Sequence, residues 1–301
     1  MHIKKLSIAF ALFAITAFSQ SVFAQGLNWE GQTGAVITPF AYTAASPASK
    51  LGKPEVSFHY MNSGNVIGND YQFSVTEGVC KHFEVGFTQS FSSAGNSPLT
   101  GLFANGYTGI HGKLTVVNEN AFKTKWMPAI AVGTIGRFGG ERVSYAITGR
   151  TDTNADFYVV ATKTVTQVKG LPFVLNFGEK VTNASIMGVA GNAGNGISAD
   201  QRWQGRLFGA AAFVVKGPSK STLILGSEVA EQPKYVQGLN GFLGEKATIP
   251  TSMTYFVRIV PHLEGSPLQV DLAVVQAAGT IAPGVDLNAR ARFAMGTSYH
   301  F

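Results

Sequence analysis

The sequence predicts an all-β fold, a transmembrane antiparallel β-barrel of about twelve strands (range roughly 10 to 14). Three observations carry that reading. Only 13% of the 301 residues are charged against 45% hydrophobic, about half the roughly 25% charged fraction of soluble domains. Strict period-two alternation marks the C-terminal segment. The same alternation recurs upstream in pieces of bilayer-spanning length, each bounded by turn residues.

Composition excludes other classes. The apolar fraction is too high for disorder. One Cys cannot build a disulfide scaffold. The 35 Gly and 22 Phe favour apolar sheet with tight bends over long helices. After the leader there is no uncharged apolar run of the roughly 18 residues that a helical span needs.

Residues 1–24 read as a signal peptide. Lys4 and Lys5 form a basic start, Leu6 to Phe18 is uncharged and apolar, and Ser21-Val22-Phe23-Ala24 supplies small residues at a cleavage point after Ala24. Residues 25–53 then form an N-terminal periplasmic or luminal segment, and 54–301 form the barrel. The formal charge of +6 falls when Lys4 and Lys5 are removed, and what remains is spread thinly, with no nucleic-acid signature.

From the C-terminus, Phe301, Tyr299, Thr297, Met295 and Phe293 fall on one face and His300, Ser298, Gly296, Ala294, Arg292 and Arg290 on the other. A strand points successive side chains to opposite faces, so one face meets lipid and the other a lumen. Further alternating segments are read at 54–62, 69–78, 81–92, 106–117, 126–138, 156–167, 171–181, 203–216, 221–231, 251–262 and 267–277. With 289–301 the number is even, as closure of single-chain bacterial barrels requires. Closure also satisfies every backbone donor and acceptor, which hydrocarbon demands. The shorter connections, beginning at about 79–80, are read as periplasmic and the longer ones as external, with the Gly-rich 182–202 an external loop or lumen constriction.

On the inner face the alternation places Glu84, Lys113, Lys163, Arg206, Glu228, Arg258, Asp271, Arg290 and Arg292, with His59, His82, His111 and His300. Inward cations bias a pore towards anions. The alternative is that these ions pair across strands, Asp271 with Arg290 or Arg292, and fill the interior. Tyr71, Phe73, Phe83, Phe87, Phe91, Trp126, Phe173, Phe177, Tyr255, Phe293, Tyr299 and Phe301 fall on lipid faces as girdle residues, while Phe208 and Phe256 point inward as filling.

The terminal strand ending in Phe301, with Tyr299 and Phe293 at alternate positions, resembles the assembly signal of bacterial outer-membrane barrels. That resemblance implies an outer-membrane location and the barrel assembly machinery as a partner. The opening Thr33-Gly34-Ala35-Val36-Ile37-Thr38-Pro39-Phe40-Ala41, a later strand with Tyr60 and Asn62, and Phe83-Glu84-Val85-Gly86-Phe87 resemble the start of YjbH-type barrels associated with exopolysaccharide export. This likeness covers roughly residues 31 to 90. It implies a segment tucked in or against the barrel and a role in polymer passage.

The expected function is a channel or transport component, mildly anion-preferring or linked to polysaccharide passage, in outer-membrane lipid. Its solute or polymer is not specified by the sequence. A non-conducting structural or surface-interaction barrel is the alternative, and an outer-membrane hydrolase of lipase or deacylase type the second. Ser57, Ser74 and Ser90 share the inner face with His59, His82 and Glu84, yet no Gly-x-Ser-x-Gly elbow is present, so no catalytic residue is assigned. No cofactor or metal site is expected, since no His-x-x-x-His or Cys/His cluster occurs. Cys80 is read as a turn residue without redox chemistry.

Overall fold

The computed structural model describes residues 26–62, 68–93, 106–139, 153–168, 171–184, 203–232, 251–261, 267–277, 280–282, 285–286 and 289–301, with the backbone alone at 277, 280–282, 285–286, 289 and 290. The expected leader, the loop 185–202 and the side chain of Arg290 lie outside the described residues.

The strands are β1 (Glu55–Asn62), β2 (Asn69–Val79), β3 (Phe83–Ser93), β4 (Tyr107–Val117), β5 (Ala129–Gly139), β6 (Asn154–Val165) and β7 (Phe173–Thr182). They continue as β8 (Gln204–Lys216), β9 (Thr222–Glu231), β10 (Thr251–Val260), β11 (Leu268–Ala277), β12 (Thr280–Ala282), β13 (Val285–Asp286) and β14 (Ala289–His300). Strands β1 to β11 and β14 close into one antiparallel barrel of twelve, while β12 and β13 form a separate two-stranded sheet. Consecutive barrel strands pair, and β1 meets β14 from Glu55↔His300 to Met61↔Ala294 to complete the ring. Closure leaves no unpaired edge in the wall.

Outward positions carry Phe58, Phe73, Phe87, Ile110, Val132, Phe157, Phe177, Leu207, Phe213, Leu225, Tyr255, Leu272 and Phe293, all exposed. A continuous apolar mantle of this kind far exceeds the patches that water-facing monomers tolerate, and lipid is the solvent that matches it. Of the aromatics expected on the lipid face, two sit off the strands, Trp126 in the connection between β4 and β5 and Phe301 one residue past β14. No helix among the described residues is long and apolar enough to cross a membrane.

The inner wall has a recurrent device. Tyr158 lies over Gly133, Phe208 over Gly178, Phe256 over Gly226, His111 over Gly86 and His59 over Gly296, and a β-carbon added at any of these glycines would overlap the ring. In every case the glycine and the ring are direct cross-strand partners. Each ring is thereby laid flat along the wall instead of standing into the lumen, the same complementarity by which aromatics cover sheet glycines. The interior that remains is wider than wall side chains alone fill.

Candidate functional site

What fills it is the chain's own N-terminal segment. Residues Leu27 to Ala44 are almost all buried, although they belong to no strand of the wall. The path starts where the Gly26 N–H donates to Glu55 Oε1 (2.9 Å), at the first residue of β1. It turns back at 28–32, where Asn28 Oδ1 accepts the N–H groups of Glu30 (3.0 Å) and Gln32 (2.9 Å), an Asx-type closure. Gly31 takes a φ of +80° there and packs so closely on Ser74 and Thr88 that a side chain would overlap them. Isolated bridges Leu27↔Thr33 and Gly34↔Pro39 fold the segment on itself.

The segment leaves by the mouth it entered. The Thr43 hydroxyl donates to the Lys81 carbonyl (3.1 Å) in the β2–β3 turn. Gly52 N–H donates to Gly78 O (2.8 Å) and Cys80 N–H to Lys50 O (3.2 Å). Lys81 N–H reaches Ser46 Oγ (2.9 Å). These contacts hold Cys80 and Lys81 in left-handed backbone, φ 50° and 66°, which costs residues bearing a β-carbon about 1 kcal/mol or more each.

Two kinds of wall receive the segment. Trp29, Ala35, Val36, Ile37 and Phe40 pack with Met61, Val174, Ala212, Ile224, Phe256, Ala273, Val275 and Ala294, an apolar wall drawn mostly from β7 to β14. Ala41 packs with Ala129, Ala131, Tyr158, Val160, Phe208 and Ala230. The opposite wall is polar. Glu84 accepts from Thr33 N–H (3.1 Å), Thr33 Oγ1 (2.5 Å) and Ala44 N–H (2.8 Å). It pairs with Lys113 Nζ at 3.0 Å, and Lys113 also donates to the Thr33 carbonyl (3.0 Å).

Glu228 accepts three bonds from the segment, Ile37 N–H (2.7 Å), Thr38 N–H (2.8 Å) and Thr38 Oγ1 (2.8 Å). Arg258 forks onto Asp271 (2.7 and 2.9 Å) and turns its remaining donors to the Gly34 and Ala35 carbonyls (2.9 and 3.1 Å). Wall carboxylates thus take segment N–H groups and wall cations take segment carbonyls. Charge-assisted bonds of this kind are the stronger ones, and here they read main chain.

Deeper along the lumen, Glu30 of the segment meets the Arg137 Nε at 2.5 Å. Arg137 also donates to Asn154 Oδ1 (2.8 Å) and Asp156 Oδ2 (2.6 Å), and Lys180 Nζ lies 3.0 Å from Asp156. At the entry mouth the Tyr42 hydroxyl donates to Glu119 (3.0 Å) and sits 2.8 Å from Thr164 Oγ1. Burial and the Glu119 carboxylate push this phenol above its ordinary range, so it stays protonated and keeps donating.

Of the residues assigned to the inner face, Glu84, Lys113, Glu228, Arg258 and Asp271 are buried there, as are His59 and His111. Arg206, Arg292 and His300 are half-buried at inward positions, with Arg206 donating to the Gln232 carbonyl (3.0 Å) and Arg292 near Asn62 Oδ1 (3.4 Å). Two differ. Lys163 is on the outward parity of β6, between inward Thr162 and Thr164, and bonds Glu119 (2.9 Å) and Asn120 (2.7 Å) in the mouth connection. His82 is exposed in the β2–β3 turn. Asp271 pairs with Arg258, its register neighbour; of the two expected partners, Arg292 lies near Asn62 instead and the side chain of Arg290 lies outside the described residues.

Arg137, Asp156 and Lys180 were not singled out by the alternation. Including them changes the charge balance. Among the described residues, Lys113, Arg137, Lys180 and Arg258 are the buried wall cations, against Glu55, Asp70, Glu84, Asp156, Glu228 and Asp271. The half-buried Arg206 and Arg292 bring the two signs level, so the described wall does not carry the cation excess behind the expected anion preference.

Similar chains occur among outer-membrane barrels of known structure. The chain is similar to the NanC porin (9% identity, 82% of this chain and 98% of that one, TM-score 0.43) and to the KdgM porin (9%, 82% and 99%, 0.45). It is likewise similar to the COG4313 outer membrane channel from Pseudomonas putida F1 (10%, 87% and 98%, 0.46). At this level of likeness nothing about what passes or binds carries over. No curated protein matches the sequence. One family model does match, over residues 26–261, a range that takes in the luminal segment and β1 to β10 of the wall: the chain belongs to the DUF3034 family, described as a protein of unknown function.

Proposed function

We propose that this chain is an outer-membrane channel or transport barrel held closed by its own N-terminal segment, and that passage requires that segment to move. One observation carries the reading. Both ends of the buried segment sit at the same mouth, at Glu55 and at the β2–β3 turn, so it can be withdrawn without threading the barrel. Polar contacts from both sides of the wall, Glu84 and Lys113 on one and Glu228 and Arg258 on the other, support a seat that can be left and retaken, because each lost bond can be replaced by water. A non-enzymic role is supported by Ser57 and His59, buried beneath the segment without a hydrogen bond between them. Polysaccharide passage, implied by the likeness to YjbH-type barrels, would need the same displacement.

The test is planar-bilayer conductance of the refolded chain beside a variant lacking residues 27–52, each first shown to be a heat-modifiable barrel. The full chain is expected to be silent or to flicker, and the deletion to give stable steps. A folded deletion variant that stays silent would move the function to a structural or surface-interaction barrel, a reading favoured by the two apolar clusters the segment completes.

The outward Phe293, Tyr299 and Phe301, the last two in edge-to-face contact at 5.0 Å, serve in this proposal as the signal read by the barrel assembly machinery. Deleting Phe301 is expected to lower the heat-modifiable fraction in cell membranes several-fold while leaving refolding in detergent unchanged. Equal fractions in membranes would remove that role.

A further inference from the structure

Glu30 differs from every other polar group of the segment in what it offers the wall. The segment otherwise presents main chain and neutral side chains, whereas Glu30 presents a side-chain carboxylate, fully buried. Its receiving site is built by four wall strands. Arg137 is two residues from the end of β5, Asn154 is the first residue of β6, and Lys180 stands two before the end of β7. Tyr107, the first residue of β4, approaches Glu30 Oε1 at 3.5 Å and meets Gln72 at 2.7 Å. These residues cluster at the end of the barrel opposite the mouth through which the segment enters.

The fit between Glu30 and this site is incomplete. Oε1 takes the Arg137 Nε–H at 2.5 Å, but Oε2 is buried with no hydrogen-bond partner and stands 3.9 Å from Lys180 Nζ. The wall side of the cluster has two cations, Arg137 and Lys180, and one carboxylate, Asp156. Without Glu30 the wall cluster is left with one positive charge in excess, deep in the lumen. Buried charge of that kind demands a partner. A carboxylate free to choose its own position could bond Arg137 and Lys180 together, which the tethered Glu30 does not.

We propose that Arg137 and Lys180 form a binding site for the carboxylate of an incoming solute, and that Glu30 occupies it as a built-in surrogate which the solute displaces to free the segment. The solute class is thus a small organic acid or the acidic end of a larger one, arriving from the mouth opposite the segment. This rests on the closed-barrel reading above and adds to it a ligand and a trigger. Displacement couples binding to opening because Glu30 lies beside the Asn28-closed turn at the segment's tip.

The tip carries its own reporter, since Trp29 is buried against His59 with ring centroids 5.9 Å apart. In full-length protein with Trp126→Phe and Trp203→Phe, acrylamide quenching then reports Trp29 alone. Propionate, which reproduces the Glu side chain, is compared with its neutral isostere propionamide and with inorganic phosphate at matched ionic strength. A tethered Glu30 competes at an effective concentration of order millimolar or above, so propionate is applied at roughly tenfold that and higher.

Propionate is expected to raise the quenching constant at least about twofold, as a buried indole becomes wet on withdrawal, with propionamide inactive. Glu30→Gln, still a heat-modifiable barrel, is expected to show high quenching without propionate and no further response to it. Equal quenching in propionate and propionamide overturns the proposal, as does a Glu30→Gln variant as protected as its parent. An equal response to phosphate overturns the carboxylate assignment. These failures are distinct from failure of the closed-barrel reading, which is decided by conductance of the 27–52 deletion.

Discussion

Replacing Arg137 by methionine is expected to destabilise the folded barrel by about 3 to 5 kcal/mol, the cost of leaving buried charges without their partner. Arg137 is fully buried and donates to Glu30, Asn154 and Asp156. Its loss leaves two carboxylates facing Lys180 alone, a net negative charge where lipid surrounds the wall. Methionine keeps most of the stem volume, so the loss reports charge and hydrogen bonding more than cavity formation. Adding Glu30→Gln to Arg137→Met restores neutrality, with Lys180 and Asp156 still paired at 3.0 Å, and is expected to recover a substantial part of the loss. Urea unfolding in vesicles of the two single variants and the double gives the coupling directly. Arg206→Met, half-buried at the rim, is the control, with an expected change under about 1 kcal/mol. A loss at Arg137 no larger than at Arg206 would mean that water reaches the cluster in the folded state.

Most of the wall was legible because lipid imposes a sharp rule on one face. Outward aromatics mark the parity of β2, β3, β7, β10 and β14, and those strands stand as the alternation placed them. The rule weakened where the lumen is not wet. In β6 both faces are apolar, with Phe157 and Val159 outside and Tyr158 and Val160 inside. Val160 and Tyr158 face Ala41 of the segment instead of water, so polarity no longer distinguishes the two sides and Lys163 drew the reading one residue out of register. In β5 the run Ala129 to Val132 hides the inward parity of Arg137 for the same reason. His82 followed parity past the end of its strand into a turn, where parity has no meaning.

The luminal segment was the least legible feature. Residues 25–53 contain few charges and no strand-length alternation, which describes a linker as well as a seated core. Glu30 is not marked by any alternation, and its cationic partners Arg137 and Lys180 come from strands more than a hundred residues away. A contact of that range leaves no local pattern. The alternation read an excess of inward cations, whereas among the described residues the buried wall positions carry more carboxylates than cations, which is a deficit of donors. The segment supplies them from its backbone at Glu55, Glu84 and Glu228.

The glycine-and-ring device makes a second large prediction. Gly133→Ala is expected to destabilise the barrel by about 1 to 3 kcal/mol, because the added methyl overlaps the Tyr158 ring and forces it off the wall into the space of Ala41. At this site the overlapping atoms all belong to the Tyr158 side chain, so a second change can relieve them. Tyr158→Leu in the Gly133→Ala background is expected to recover most of the loss. Tyr158→Phe alone should cost little or nothing, because the hydroxyl is buried without a partner and the ring serves by its shape. Gly112→Ala provides the contrast. It faces outward over Phe83 at ordinary contact distances, the nearest atom 3.7 Å from the new methyl. Loss of glycine's chain entropy there should leave stability unchanged or raise it by about 0.5 to 1 kcal/mol. The four variants separate inward crowding from a general intolerance of strand substitution, through unfolding midpoints in the same vesicles. Equal losses at Gly133 and Gly112 would show that strand pairing, and not the seat of the segment, fixes these glycines.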